Sequence, residues 1–244
     1  MTDAKPIVPV NPEGLEDIAK SLLEGDPKPL PFTAPVNANI SNLETYVTLP
    51  GKTHGSYSYP DLLVAMERTN FGSNWNQSHK ALHRENAFML SIRQYIDFLQ
   101  LLKSGNVYDE RGTKLPNGRV NEILDEILTK RDPWRAEWLD AYFKDVNGTL
   151  YFNYEHTNVN GQLKPQHSEP LENCVMKDAY VNLFSANRQG LPTVKSRTQE
   201  TYYWHPVNGR VARFGANSGR VYLDANGDPA VSYSSLGVRP ARLK

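Results

Sequence analysis

The spacing of apolar residues predicts three helices in the first half of the chain. Along residues 91–105 apolar side chains recur every three or four positions, between Ser91 as a cap and Gly105 as a stop signal. A similar apolar stripe runs through residues 118–134, where a proline near the end of the segment is expected to stop the helix. Residues 59–70, "YPDLLVAMERTN", open with a proline and an aspartate in the first turn, as helices commonly do. All three apolar stripes are typical of core packing.

Beyond residue 140 the apolar residues alternate with polar ones, which indicates strands. Asn-Gly pairs at 147–148, 160–161 and 208–209 separate strand-like runs. Asn-Gly is a strong hairpin signal because both residues accept a positive φ. Residues 43–50, "LETYVTLP", predict one earlier strand. Helices that are segregated from antiparallel strands predict an α+β protein, with its helices packed on hairpin-rich antiparallel sheets.

The first fifty residues have a different character. Residues 1–50 are rich in proline and predict an extended N-terminal arm, interrupted by a short helix at 13–25. The remaining residues, 51–244, are long enough for one domain with a sizeable core. We expect the arm to mediate oligomerisation or attachment to a larger assembly.

Charge and hydropathy exclude several classes of partner. The 27 acidic and 27 basic residues cancel, so nothing indicates binding to nucleic acid. The sequence contains no apolar run of 18 residues, so we do not expect insertion into a membrane. The N-terminus also lacks the apolar segment of a Sec-type signal peptide. The chain is rich in tyrosine, with 13, which favours an amphipathic surface.

Candidate metal ligands and nucleophiles are few, and we expect neither a metal nor another cofactor. Cys174 stands alone among apolar neighbours and is typical of a small buried side chain. His79 and His83 would share one face of a helix, but two histidines do not complete a zinc site. The run Asp224–Asp228 resembles the start of a calcium loop, yet Ser235 occupies the twelfth position where such a loop needs Glu. That run is better explained as a polar turn.

Other conspicuous side chains also have structural explanations. Trp134 and Trp138 are four residues apart, which favours anchoring of a helix end in the core over stacking on a sugar. Arg213, Arg239 and Arg242 alternate with apolar residues and predict pairing with carboxylates. The sequence contains no phosphate-binding loop, dinucleotide fingerprint or nucleophile elbow, so we do not expect an enzyme.

Three stretches resemble a known family. "ENAFMLSIRQYIDFLQLL" is similar to a segment of C-type lectin folds related to formylglycine-generating enzymes, although Met89-Leu90-Ser91 lacks the proline usual at the helix start. "RVARFGANSG" resembles a late core strand of that fold, and "SSLGVRPAR" resembles its final strand. The closest resemblance is to the variable proteins of diversity-generating retroelements. It covers residues 55–244 in architecture and is specific only over the last 40 or so; residues 1–50 are not covered.

This resemblance implies a hypervariable C-terminal region, about residues 211–235, within a fixed frame. In the family, adenine-directed mutagenesis changes selected codons whose side chains point outward, while intervening residues hold the fold. The implied frame residues are Ala212, Arg213, Phe214, Ala216, Leu223, Pro229, Leu236, Gly237, Val238 and Arg239. The implied display residues are Gly215, Asn217, Gly219, Arg220, Tyr222, Asp224, Ala225, Asn226, Asp228, Val231 and Tyr233. Their mixture of Tyr, Asn, Gly and Arg is also typical of antibody paratopes.

The resemblance therefore implies a binding protein rather than a catalyst. We expect it to display the variable region on a virion or cell surface and to bind a macromolecular ligand there, either a protein or a glycan. One alternative is a calcium-dependent carbohydrate-binding lectin, although Glu169-Pro170 is followed by Leu171 and not by the usual sugar-loop residue. Another is an enzyme of the formylglycine-generating type, which needs paired cysteines where this chain has one.

Overall fold

A computed structural model describes residues 46–198 and 200–244. Within them the protein is an α+β structure with three helices and fourteen strands. The helices are α1 (Trp75–Arg84), α2 (Ile92–Ser104) and α3 (Asn117–Leu128). The strands are β1 (Tyr46–Leu49), β2 (Lys52–His54), β3 (Tyr57–Tyr59), β4 (Leu62–Ala65), β5 (Phe88–Met89), β6 (Arg135–Val146), β7 (Thr149–Val159), β8 (Gln162–Pro170), β9 (Ala179–Val181), β10 (Thr201–Trp204), β11 (Arg210–Ala216), β12 (Val221–Gly227), β13 (Leu236–Val238) and β14 (Pro240–Leu243).

The main sheet is built from the second half of the chain. Its strands lie in the order β8-β7-β6-β11-β12-β10-β9, and β13 pairs with β6 off this path. The pairs are antiparallel except that β10 runs parallel to β12 and β13 runs parallel to β6. A second sheet, β1-β4-β14-β5, joins early strands to the final one, and β2 and β3 form a separate hairpin.

Part of the predicted arm belongs to the folded domain. The strand predicted within residues 43–50 is present as β1, whose residues pair with those of β4 from Tyr46 opposite Ala65 to Leu49 opposite Leu62. The rest of the predicted arm, residues 1–45, lies outside the described residues. The helix predicted at 13–25 and the role of the arm in assembly therefore stay predictions.

The helix predicted over residues 59–70 is wrong. This segment contains β4, a short strand paired with β1 on one edge and with β14 on the other. All four residues of Leu62–Ala65 are buried. An apolar run that is buried on both faces lacks alternation, so its sequence cannot be distinguished from a buried helical segment by period alone.

The other two predicted helices are present. Helix α2 starts at a capping box in which the Ser91 side chain accepts from the Gln94 backbone and the Gln94 side chain accepts from Ser91, and Gly105 ends it with φ of 69°. Helix α3 ends earlier than predicted, at Leu128. The Arg131 side chain donates to the carbonyls of Asp125 and Glu126, which satisfies the last turn.

Two of the three Asn-Gly pairs form the predicted hairpins. Residues 147–148 connect β6 to β7 and residues 160–161 connect β7 to β8, with positive φ at all four positions. The pair at 208–209 does not join neighbouring strands, because β12 lies between β10 and β11. This pair lies in the connection from β10 to β11, and it contacts β6 because the Asn208 side chain accepts from the Asp145 backbone.

Buried charges link the final strands to the helices. Glu137 on β6 is fully buried and accepts from Arg239 at 3.0 Å, from Arg135 at 2.8 Å and from the Tyr95 hydroxyl at 2.6 Å. Glu126 on α3 also pairs with both arginines. Burial alone would raise the pKa of Glu137, but the two guanidinium groups hold it at about 2. This network connects the segment after β13 with β6, α2 and α3.

Among the described residues, no helix has the length and apolar character needed to cross a membrane.

Candidate functional site

An open pocket of about 550 Å³ lies on the main sheet, over β11 and β12. Its lining combines large aromatic side chains with charged and amide groups. The lining residues are Trp134, Trp204, Arg213, Asn217, Tyr222, Asp224, Asn226 and Tyr233. The pocket can therefore offer both stacking surfaces and hydrogen-bonding groups to a ligand.

The alternation of strand β12 divides its residues between the pocket and the core. Tyr222, Asp224 and Asn226 face the pocket. The intervening Leu223 and Ala225 belong to the main apolar cluster and are at most 1% exposed. Because neighbouring strand residues point to opposite faces, a change in one set leaves the other in place.

The centre of the pocket is an ion pair. Arg213 Nε donates to one carboxylate oxygen of Asp224 at 2.9 Å, and Arg213 Nη2 lies 2.8 Å from the same oxygen. The other oxygen accepts from the Asn226 backbone at 2.8 Å. The same guanidinium lies 5.7 Å from the centre of the Trp134 ring. These contacts fix the charged groups before any ligand arrives.

A row of aromatic rings extends from the pocket across three strands. Tyr180 on β9, Tyr202 and Trp204 on β10, and Tyr222 on β12 contact one another edge to face, with successive ring centroids 5.1, 5.0 and 5.1 Å apart. Arg220 lies over the Tyr202 ring at 4.3 Å. Such a row provides a broad and rigid contact surface.

A tight turn connects the two central strands at one end of the pocket. The side-chain oxygen of Asn217 accepts from the backbone of Gly219 and of Arg220, each at 2.9 Å. At the other side, Tyr233 is 51% exposed and packs edge to face against Trp134 at 5.5 Å. The pocket therefore has one wall built on a turn and one exposed aromatic wall.

The Tyr222 phenol remains protonated. Burial raises its pKa to about 12, which Asp224 also favours and Arg213 opposes. The ring passes directly over Gly215, where an added Cβ would lie 2.7 Å from its terminal atoms. Tyr222 can therefore act as a neutral hydrogen-bonding group in the pocket.

Five of the eleven predicted display residues line this one pocket, namely Asn217, Tyr222, Asp224, Asn226 and Tyr233. Gly219 and Asp228 are exposed nearby, and Arg220 is half-buried against the aromatic row. Val231 is half-buried and packs against the smaller apolar cluster, which includes Trp138.

Four display residues depart from the expected exposure. Tyr222 and Asp224 line the pocket but are only 4% and 5% exposed, and neither Ala225 nor Gly215 can present a side chain to the pocket. Ala225 is fully buried because it occupies a core-facing position of β12. At Gly215 a Cβ would meet the Arg135 carbonyl oxygen at 2.6 Å as well as the Tyr222 ring, so the position has no space for a side chain. Neither position offers a side chain to a ligand.

The predicted frame residues lie mostly in the interior. Eight of them are buried, namely Ala212, Phe214, Ala216, Leu223, Leu236, Gly237, Val238 and Arg239. Pro229 is half-buried and its carbonyl accepts from the Trp75 backbone at 3.2 Å. Arg213 lines the pocket instead of the core, so it is available to a ligand as well as being paired with Asp224.

Several further expectations can be compared with the structure. Residues 224–227 lie in β12 and Gly227 pairs with Val211 of β11, so the predicted polar turn is wrong over that part. Arg213 and Arg239 pair with carboxylates as predicted, whereas Arg242 lies over the Tyr46 ring at 5.4 Å.

The single cysteine is buried, as predicted. Burial raises the pKa of the Cys174 thiol to about 11, and the Tyr203 hydroxyl acts in the opposite direction. The thiol therefore stays protonated near neutral pH and is a poor nucleophile.

The two tryptophans expected at a helix end follow α3 instead. Trp138 lies in β6 and is 1% exposed, while Trp134 precedes that strand and lines the pocket. Trp204 and Tyr202 were not predicted to belong to the site. Their only signal is the alternation within "TYYW", where Thr201 and Tyr203 are buried and the other two are half-buried.

A second group of polar side chains, apart from the pocket lining, has the residue types of a metal site. His79, Asp140 and His156 are all buried, and one potential metal-ligating atom from each lies within 4.8 Å of the others. The His156 ring nitrogen Nδ1 is 2.5 Å from an Asp140 oxygen, and His79 Nε2 is 3.6 Å from the same oxygen. Burial lowers the pKa of His79 to about 3, although Asp140 opposes this. In the sequence His79 stood out only together with His83, and nothing local indicated Asp140 or His156 as its partners, because the three residues are far apart along the chain.

Comparison of the chain with protein-family models, with curated proteins and with solved structures produced no match.

Proposed function

We propose that this protein is a ligand-binding display protein with a C-type lectin fold, whose segment of about residues 211–235 is diversified by a retroelement. The observation that carries the proposal is the division of β12. Its outward residues converge on one pocket, while its inward residues Leu223 and Ala225 fill the core. Sequence change in the outward set can then alter the ligand and leave the fold intact.

The central strands beneath the pocket support this proposal, because they are paired on both edges. Strand β12 is hydrogen-bonded to β11 and to β10, and β11 is paired with β6 along its length. A binding surface built on central strands loses little conformational entropy when a ligand binds. Tyrosine and tryptophan rings add large contact areas with few rotatable bonds.

The chemistry of the surface favours a macromolecular ligand, either a protein or a glycan. The aromatic row and the exposed Tyr233 extend the contact area beyond the pocket itself. In this proposal the protein binds its ligand at a virion or cell surface and performs no catalysis. Neither nucleic acid nor a cofactor takes part in this recognition.

A display library tests this proposal. One library randomises Asn217, Tyr222, Asp224, Asn226 and Tyr233, and a control library randomises the core-facing Phe214, Leu223 and Ala225. We expect most members of the first library to bind a fold-sensitive probe and most members of the second to lose that binding, because core substitutions leave cavities or overpack.

Selection against a panel of purified cell-surface proteins and glycans supplies the functional readout. We expect binders to different targets to differ at the pocket positions and to lose affinity when Trp204 is replaced by alanine. The proposal fails if the pocket library yields no binders, or if the selected binders do not depend on the pocket residues.

One observation favours glycans as a specific ligand class. Trp134 and Trp204 both line the pocket beside Arg213 and Asp224, a combination that can stack on a sugar ring and bind its hydroxyl groups. Since Asp224 is already paired with Arg213, we expect glycan binding to persist in EDTA. A calcium-dependent lectin would lose its glycan binding under the same conditions. A glycan array probed with and without EDTA makes this distinction.

A further inference from the structure

Three polar side chains meet in the interior, away from the pocket lining. His79 comes from α1, Asp140 from β6 and His156 from β7. Each is at most 6% exposed, and one potential ligand atom of each lies within 4.8 Å of the other two. The sequence separation of these residues means that the tertiary fold, and not a local motif, brings them together.

The His79 imidazole lacks the partners that a buried polar group needs. It is 0% exposed, and neither ring nitrogen has a hydrogen-bond partner within the described residues. A buried and unsatisfied polar group costs free energy, so each example calls for a physical explanation. His83, one turn later on α1, also has a buried Nδ1 without a partner among those residues.

The surroundings hold the three side chains in place. The Trp75 ring packs edge to face against His79 at 4.3 Å and against His156 at 4.9 Å, and its own nitrogen donates to the Leu139 carbonyl. The second oxygen of Asp140 accepts from the His156 backbone at 2.8 Å. Outer contacts of this kind orient the ligands of metal centres.

We propose that His79, Asp140 and His156 bind one transition-metal ion, with Zn²⁺ as the best match to the ligand types. Imidazole nitrogen and carboxylate oxygen are common zinc ligands. Calcium is a poor match because it takes six to eight oxygen ligands. A metal ion would supply the missing partner of His79.

The fourth coordination position has one candidate on the same helix. The ring centroids of His79 and His83 are 6.0 Å apart, and the two residues are separated by one helical turn. With His83 the protein would supply four ligands to zinc and the ion would need no water. Such a closed site is structural, and here it would connect α1 with β6 and β7.

Metal binding to the full-length chain is the first test, after removal of any affinity tag. We expect protein expressed with added zinc to retain about one equivalent after gel filtration, measured by elemental analysis. After removal of metal with a chelator, Co²⁺ should produce the visible absorption bands of a tetrahedral site, and Zn²⁺ should displace it and raise the thermal unfolding midpoint.

Variants then assign the ligands. His79→Gln and His156→Asn should each weaken Zn²⁺ binding by more than the roughly 10–100-fold that loss of an outer-shell partner costs. His205→Gln is the matched control, because His205 is partly exposed and pairs with Asp178. It should bind Zn²⁺ as the wild type does. Far-UV circular dichroism reports whether each variant is folded.

Two results would overturn the proposal. In the first, Co²⁺ added to the folded wild-type protein gives no absorption bands of a tetrahedral site, and Zn²⁺ does not change the thermal unfolding midpoint. In the other, folded His79→Gln and His156→Asn bind Zn²⁺ as tightly as the wild type. Should either variant not fold, the wild-type titration still decides the matter.

Discussion

Glu137 is the residue on which the buried charges of the protein converge. It is fully buried and paired with Arg135 and Arg239, so neutralising it leaves two guanidinium groups without their main counter-charge. We predict that Glu137→Gln lowers the free energy of unfolding by about 3–5 kcal/mol, measured by chemical denaturation. The control is Glu122→Gln: the exposed Glu122 pairs with Arg119, and its loss should cost no more than about 1 kcal/mol. Equal effects of the two substitutions would contradict the role given to the network.

Gly215 offers a second test at the scale of one residue. A methyl group there would lie 2.6 Å from the Arg135 carbonyl oxygen, so Gly215→Ala should cost about 1–3 kcal/mol of stability. Gly219→Ala is the matched control, because the nearest atom to its Cβ would be 3.5 Å away. That change should stay within about 0.5 kcal/mol. If Gly215→Ala is also neutral, the position has space for display after all.

At the scale of the element, the hairpin of β7 and β8 contains a titratable pair. His167 Nε2 lies 3.0 Å from a carboxylate oxygen of Glu155, and the His167 ring stacks on Tyr154. The hydrogen bond that His167 donates to Glu155 raises the pKa of His167, burial opposes this, and Glu169 raises the pKa by a smaller amount.

The raised pKa predicts how the stability contribution of His167 depends on pH. The folded state binds the proton more tightly than the unfolded state, so the contribution is complete below the unfolded pKa of about 6.5 and is lost as pH rises through the folded pKa. His167→Gln should therefore destabilise the protein more at pH 5 than at pH 9. Thermal unfolding at both pH values checks this, and an equal loss at both would contradict it. When Glu155 is replaced by glutamine, the loss of stability caused by His167→Gln should differ less between pH 5 and pH 9.

The elements that the sequence predicted correctly are those with local signals. Helix α2 has a complete capping box at Ser91 and a glycine stop, and two Asn-Gly turns supply the positive φ values of their hairpins. The segment 59–70 had only a helix-start signal, Pro60 and Asp61, without a capping box or a stop, and the pairing of β4 on both edges decided its structure. Helix α1 was not predicted, although Asn74 and Gln77 form a capping box at its start.

At the scale of the whole molecule, the candidate site was only partly predictable. The resemblance implied Tyr222, Asp224 and Asn226 as display positions, and the alternation along β12, which was not predicted there, places all three on the pocket side. Trp204 joins them only because β10 pairs in parallel with β12, and no local feature of the sequence specifies that pairing. The same reason applies to His79, Asp140 and His156, which meet through the packing of α1 on the strands.

The pocket and the buried histidine cluster have different roles in this account. In the proposed function the pocket combines side chains that diversification would change with aromatic rings that would stay fixed. The cluster is enclosed, and none of its members lines the pocket. Changes of ligand specificity should therefore leave the proposed metal site unchanged.

The most direct test of the central claim is a comparison of this gene among related genomes. We predict that substitutions concentrate at the codons for Asn217, Tyr222, Asp224, Asn226 and Tyr233, at positions that are adenine in a nearby template repeat. The interleaved codons for Gly215, Leu223 and Ala225 should stay constant. An even spread of substitutions over both sets, or changes unrelated to template adenines, would contradict the account.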